Sequence, residues 1–147
     1  MGSRDLIIKI VESPEEFAEI KAIRIAVFQE EQGVEAALEF DGKDEICDHL
    51  IAYVNQEAVG TTRIRYLDEQ TAKIERLAVL SHSRGNGIGK QIMAKAIDFI
   101  ASKNIPEVII NSQEYVKALY QKMGFIEEGT IFIEAGIPHI KMRKLLL

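Results

Sequence analysis

The sequence predicts an α/β (α+β) domain, a single mixed and mostly antiparallel sheet with helices on both faces. Three observations carry that prediction. The 147 residues, 47% hydrophobic and 28% charged, suit one globular domain spanning 1–147, which can bury roughly two-thirds of its unfolded surface. Three apolar or alternating runs in the middle of the chain follow one another across short polar spacers. A glycine-rich segment then joins the last of these runs to an amphipathic helix.

The elements follow in order. Residues 6–11 alternate loosely and read as a first strand, closed by Glu12-Ser13-Pro14. A helix begins there, because Ser13 suits the N-cap, Pro14 the first turn where no amide donor is required, and Glu16 the capping-box position. Its apolar face is Phe17, Ile20, Ile23, Val27 and Phe28. Residues 29–45 show little periodicity and read as a loop or short irregular helix. Residues 47–54, 59–67 and 72–80 form the predicted antiparallel meander. After the glycines, Ile88, Ile92, Met93, Ala96, Phe99 and Ile100 recur at helical spacing until Asn104-Ile105-Pro106. Residues 108–110 make a short buried strand, and a short helix carrying Tyr115, Ala118, Leu119 and Tyr120 stops at Gly124. Strands over 126–134 and 140–145 close the chain around a turn at residues 135–138.

Composition removes several function classes. A net charge of -5 opposes a general attraction to nucleic acid or anionic membrane, although a local basic pocket for a small anion stays open. The longest apolar run falls short of the about 18 residues of a membrane span, and the N-terminus lacks a signal-peptide pattern, so a cytoplasmic protein is expected. Met1-Gly2-Ser3 reads as a cloning remnant without structural meaning. Cys47 is the sole cysteine and reads as a buried reduced thiol in a strand. His49 lies two residues on, a spacing too common to define a nucleophilic dyad. No Cys/His cluster has zinc-ligand spacing, so no metal is expected.

Chemistry concentrates in Arg84-Gly85-Asn86-Gly87-Ile88-Gly89. Glycines at alternate positions between a strand and a helix let amides point into one concavity, and the helix adds its positive N-terminus, which suits phosphate. A merely tight turn explains the glycines equally well. Counting removes two alternatives. A Walker loop needs four residues between its glycines, whereas Gly85 and Gly89 enclose three and Gln91 follows Lys90. The dinucleotide fingerprint would need glycine at position 90, which is Lys90.

Arg84, Gly87 and Gly89 do match the R/Q-x-x-G-x-G/A signature of the GNAT superfamily of acetyl-CoA-dependent N-acetyltransferases, and the chain resembles that family along nearly its whole length. Leu77-Ala78-Val79 stands as the strand before the loop, and Tyr120 with Gly124-Phe125 matches Y-x-x-x-G-F. Val27-Phe28, Glu31-Gln32-Gly33-Val34, Asp41-Gly42, His49-Leu50 and Glu134-Ala135-Gly136-Ile137-Pro138-His139 resemble the ElaA/YjcF-like branch. Gln113 departs from the asparagine that many members carry seven residues before the tyrosine, while keeping a side-chain amide.

The resemblance implies a GNAT-like sheet splayed at the CoA-binding strand. It also implies acetyl-CoA as cosubstrate, its pyrophosphate on Arg84, Gly85, Asn86, Gly87, Ile88 and Gly89 with charge from Lys90, and its pantetheine along Leu77, Ala78 and Val79. Tyr120 would be the general acid, against the plainer reading of an amphipathic ring packed in the core. Glu75 is a base candidate or a solvated strand-edge glutamate. Glu134 and His139 flank the last turn as two proton-handling candidates and mark an acceptor site, against the plainer reading of a turn-capping histidine and an exposed hairpin glutamate, with Glu31 and His49 as lesser candidates for orienting the amine. The expected partners are acetyl-CoA and an unidentified amine, with a homodimer open and neither nucleic acid nor membrane. A module that binds acetyl-CoA without turnover is the alternative, and a nucleic-acid-binding domain ranks last.

Overall fold

The computed structural model describes residues 5–146, so Met1-Gly2-Ser3 lies outside the described residues. Strand β1 (Leu6–Ile10) leads into helix α1 (Pro14–Arg24). The Ser13 hydroxyl accepts from the Glu16 amide at 3.2 Å, as the capping motif requires. The Glu16 carboxylate reaches back one residue further than expected and accepts from the Glu12 amide at 2.7 Å.

The helix then widens instead of ending. Ile25–Glu31 is π-helical, with the Gln32 amide donating to the Val27 carbonyl five residues back. One extra residue per turn re-aims the side chains, a device common at functional sites. Val27 turns inward against Ile23 and Ala78. The segment predicted as a loop therefore holds the end of this stretch, a one-turn helix α2 (Ala36–Glu39) and a 3-10 turn at Asp44–Ile46. Its lack of apolar periodicity has a physical reason, because Glu39, Asp41 and Asp44 bind it to helix α1 and the sheet by ion pairs.

The meander forms as predicted in β2 (Asp48–Val54), β3 (Glu57–Tyr66) and β4 (Thr71–Val79). Helix α3 (Ile88–Ser102) and strand β5 (Glu107–Gln113) come next, followed by a 3-10 turn and helix α4 (Lys117–Lys122). Strands β6 (Ile126–Glu134) and β7 (Ile137–Leu145) end the chain. The predicted four-residue turn between them shrinks to Ala135 and Gly136, both at positive φ, and Ile137 and Pro138 join β7. Strand β5 is also longer than its apolar core, since Asn111, Ser112 and Gln113 pair with Lys141, Ile140 and His139.

The seven strands lie in the order β1-β2-β3-β4-β5-β7-β6, and only β4 and β5 run parallel, which makes the mixed sheet expected. Met93, Ala96 and Ile100 of α3 and Tyr120 of α4 pack with Ile64, Ile74, Ile110 and Met142 on one face. Helix α1 and the π-helical stretch after it cover the opposite face through Ile23 and Val27. Cys47 is corrected: it precedes β2 and is half-buried, with burial pushing its thiol up. His49 Nε2 lies 2.9 Å from the Asp44 carbonyl and the ring packs on Phe17, so no dyad with Cys47 forms.

Candidate active site

The site begins with a defect in the sheet. Opposite β3, Arg63 pairs with Glu75 and Thr61 with Ala78, so two β4 residues, Arg76 and Leu77, face one on β3. Such a bulge bends the strand, and Arg76 takes the left-handed φ of 59° that the bend requires. On its other side β4 pairs with β5 only from Thr71 to Lys73. Beyond Lys73 the two strands diverge, and from Ile74 onward β4 has no ladder partner on the β5 side.

A cavity of about 490 Å³ occupies the V, with Leu77, Asn111, Gln113, Tyr120, Glu134 and His139 among its walls. A second groove of about 490 Å³ runs over the glycine loop, against Ala78, Val79, Gly85, Gly87, Gly89 and Lys90. Leu77 and Gln32 line both, so the two spaces meet on the unpaired edge of β4.

The loop is built for close approach. Gly85 and Gly87 have φ of 82° and 75°, and a Cβ on either would project into open space. Gly87 is the N-cap of α3 and supplies no side-chain cap, leaving the first amides of a 15-residue helix for a ligand. Arg84 donates from Nε to the Val79 carbonyl at 2.8 Å and pairs with both Glu31 oxygens at 2.9 and 2.6 Å. Its guanidinium thus braces the loop against β4 and the π-helical stretch.

Tyr120 is placed by the end of α4. The Phe125 amide donates to the Tyr120 carbonyl at 3.1 Å and the Gly124 amide to Gln121 at 3.0 Å, which is a Schellman motif with Gly124 at φ 96°. The Y-x-x-x-G-F spacing is this motif written in sequence: Phe125 closes it by edge contact with the Tyr120 ring, centroids 6.1 Å apart. Burial pushes the Tyr120 phenol up to about 12, so it is protonated throughout the neutral range.

Comparison with known proteins agrees with this architecture. The family model of the acetyltransferase (GNAT) domain matches residues 10–146. The chain belongs to the GNAT acetyltransferase family. This GNAT domain is 36% identical to the uncharacterised protein YyaT of Bacillus subtilis over 93% of this chain and 94% of that protein. It is 32% identical to the uncharacterised N-acetyltransferase YjcF of the same organism, over 92% and 96%. The crystal structure of Escherichia coli ElaA superposes with a TM-score of 0.85 at 26% identity, covering 95% of this chain and 99% of that one. YjcF and ElaA represent the branch that the sequence motifs resemble.

The GNAT domain also carries a buried charge network that sequence reasoning missed. Arg24 and Arg63, each 1% exposed, lie between the acidic segment and the sheet. Arg24 binds Glu39 and Asp44, while Arg63 takes both oxygens of Asp41 at 2.9 Å and also binds Asp44 and Glu75. Of the acids over 30–48, Glu31, Glu39, Asp41 and Asp44 are therefore engaged by arginines. Alternation of charge in Arg63, Arg65, Lys73 and Glu75 on two neighbouring strands was the available signal.

Several expected roles move accordingly. Glu75 is 8% exposed and sits among Arg63, Arg65 and Lys73, so it is no solvated strand-edge residue. Burial pushes its carboxyl up, but those three cations more than offset this and hold it below its ordinary value. That weakens it as a base. Glu31 lines the glycine-loop groove rather than the cavity, because its carboxylate is bound to Arg84. His49 is buried under Phe17 and lines neither space. Asn86 pins the loop by donating to the Ser83 and Arg84 carbonyls. Gln113 faces the cavity, joined there by Asn111, which sequence reading passed over.

The network makes stability acid-sensitive. The Arg63 guanidinium beside Asp41 holds that carboxyl far below its usual range, and Glu75 is also depressed. Burial pushes Asp44 up, yet Arg24 and Arg63 leave it lowered. Groups with depressed folded values stabilise fully above their unfolded values of about 4 and lose that contribution as the pH falls through the folded ones. Melting temperature is expected to be flat from neutral pH to about 5 and to drop steeply below about 4. A flat profile down to pH 3 would reject the network as a major stabiliser.

Proposed function

We propose that this GNAT domain transfers an acetyl group from acetyl-CoA to a primary amine by direct attack. The observation that carries this reading is the meeting of groove and cavity at Leu77, on the strand edge that the splay leaves unpaired. A pyrophosphate on the amides around Gly85 to Gly89, with Lys90 beside it, directs a pantetheine chain along Leu77, Ala78 and Val79 towards the cavity. The acceptor enters from the side of Glu134 and His139.

His139 is the preferred base. Its Nδ1 lies 2.7 Å from the Ile137 carbonyl, which fixes the proton on that nitrogen and leaves the Nε2 lone pair free. Nε2 lies 3.6 Å from Glu134, the ring stacks on Phe132, and the residue lines the cavity. The amine gives its proton to Nε2, its nitrogen bonds to the thioester carbon, and the carbon-sulfur bond breaks. A backbone N–H of β4 beyond Lys73 has no ladder acceptor on the β5 side and is suited to donate to the developing oxyanion. The Tyr120 hydroxyl donates to the departing sulfur.

Thiol release from acetyl-CoA against a panel of amines tests the reading. Acetyl-CoA binding without acceleration by any amine would reject it. His139→Gln is expected to lower kcat/KM by about 10²-fold while Glu75→Gln affects mainly melting temperature. The reverse pattern would return the base to Glu75.

A further inference from the structure

We infer that the accepted amine also carries a carboxylate, so that the substrate is an amino-acid-like zwitterion held between Arg65 with Lys73 and Glu134 with His139. This rests on the acetyl-transfer reading and assigns its acceptor class.

The cavity wall is charged unevenly. Strand register places Arg63 opposite Glu75 and Arg65 opposite Lys73, all four on the sheet face that α1 covers. Among the described residues, the cations Arg24, Arg63, Arg65, Lys73 and Arg76 share the carboxylates Glu39, Asp41, Asp44 and Glu75, one positive charge in excess. The excess falls at one place. The buried guanidiniums of Arg24 and Arg63 take the short contacts to all four carboxylates, and Arg76 is held by the Leu38 and Glu39 carbonyls. Arg65 and Lys73 are left with Glu75 alone, which Arg63 already binds. The Arg65 Nε is buried 3.3 Å from Glu75 without good hydrogen-bond geometry, its Nη2 is 3.5 Å from the same carboxylate, and the Arg65 and Lys73 side chains, 26% and 16% exposed, line the cavity. Two partly exposed cations that share one already occupied carboxylate are the feature that a bound carboxylate would complete.

The opposite wall has the other sign. Glu134 is 47% exposed, accepts from Asn111 Nδ2 at 3.3 Å, and faces the free nitrogen of His139. An ammonium arriving there meets a carboxylate, loses one proton to water so that the neutral amine can attack, and gives the second to His139 Nε2 as the carbon–nitrogen bond forms. Glu39, Asp41 and Glu75 also line the cavity but are taken by Arg24 and Arg63, so the charges left for a ligand are cationic at Arg65 and Lys73 and anionic at Glu134, the pattern of a zwitterion reversed.

The test uses the full chain with L-amino acids, β-alanine and 4-aminobutyrate, each paired with its carboxamide. Thiol release from acetyl-CoA and the thermal shift in the presence of CoA are both recorded. At least one acid is expected to exceed its amide by about tenfold or more in kcat/KM. The double variant Arg65→Gln, Lys73→Gln is expected to collapse that discrimination, with the loss carried by KM of the acid. Amides equal to or better than their acids, or discrimination that survives the double variant, would overturn the proposal. If no compound of this narrower panel releases thiol, the thermal shift decides. In that case a thermal shift by acids and not amides, lost in the double variant, would still support the carboxylate site, and no differential shift would overturn it.

Discussion

Replacing Tyr120 with Phe is expected to lower kcat by about 10²-fold while acetyl-CoA affinity stays within about twofold. The hydroxyl is the only atom removed. The ring keeps its edge contact with Phe125 and its place at the Schellman turn, so the variant should fold. Burial raises the phenol to about 12, which alone would make it a reluctant acid towards a thiol near about 8.5 in water. A thiolate released into the same dry cleft is raised by the same desolvation, and the difference between the two groups governs transfer. A hydroxyl hydrogen bond to sulfur contributes even before the proton moves. The measurement is single-turnover thiol release beside equilibrium binding of acetyl-CoA. Unchanged turnover would remove Tyr120 from the mechanism and leave it as a packing residue.

The second large effect is on stability. Arg63→Ala is expected to destabilise the domain by about 3–5 kcal/mol, because it leaves Asp41 with only Arg76, Asp44 with only Arg24 and Glu75 with only Arg65 and Lys73, all partly stranded beside a buried hole. For a chain of this length that corresponds to a fall of roughly 10 °C in melting temperature. The gap between variant and wild type should narrow below about pH 4, where the stranded carboxylates protonate and need no partner. Thermal melts at pH 7 and pH 3.5 measure both effects. A variant melting within about 2 °C of wild type at pH 7 would show that the cluster contributes little.

The glycine-loop half of the candidate site was legible along the chain because each of its parts is a local device. The glycine loop requires positive φ at Gly85 and Gly87, and the helix that follows begins within one residue. Tyr120, Gly124 and Phe125 meet within a single Schellman turn. Hydrogen bonds spanning five residues leave a readable spacing, and so both motifs were found where the structure has them. The capping motif at Ser13 was readable for the same reason.

The acceptor half was not. Arg24 meets Glu39 and Asp44 across 15 and 20 residues, Arg63 meets Asp41 across 22, and Arg65 faces Lys73 only by strand register. Nothing local marks such pairs, and an acidic loop with scattered arginines reads as solvated surface. Glu75 looked like a strand-edge residue for that reason, and Glu31 and His49 were drawn towards an acceptor that they do not face.

The sequence by itself determined the family, the order of elements and the glycine turn before α3, since those depend on backbone conformation and neighbouring residues. Only the tertiary structure decided where β4 leaves β5, which carboxylates the arginines occupy and which charges remain for a substrate. Those outcomes depend on desolvation and competition among distant partners. An ion pair becomes visible only when the chain has folded enough to exclude water from it.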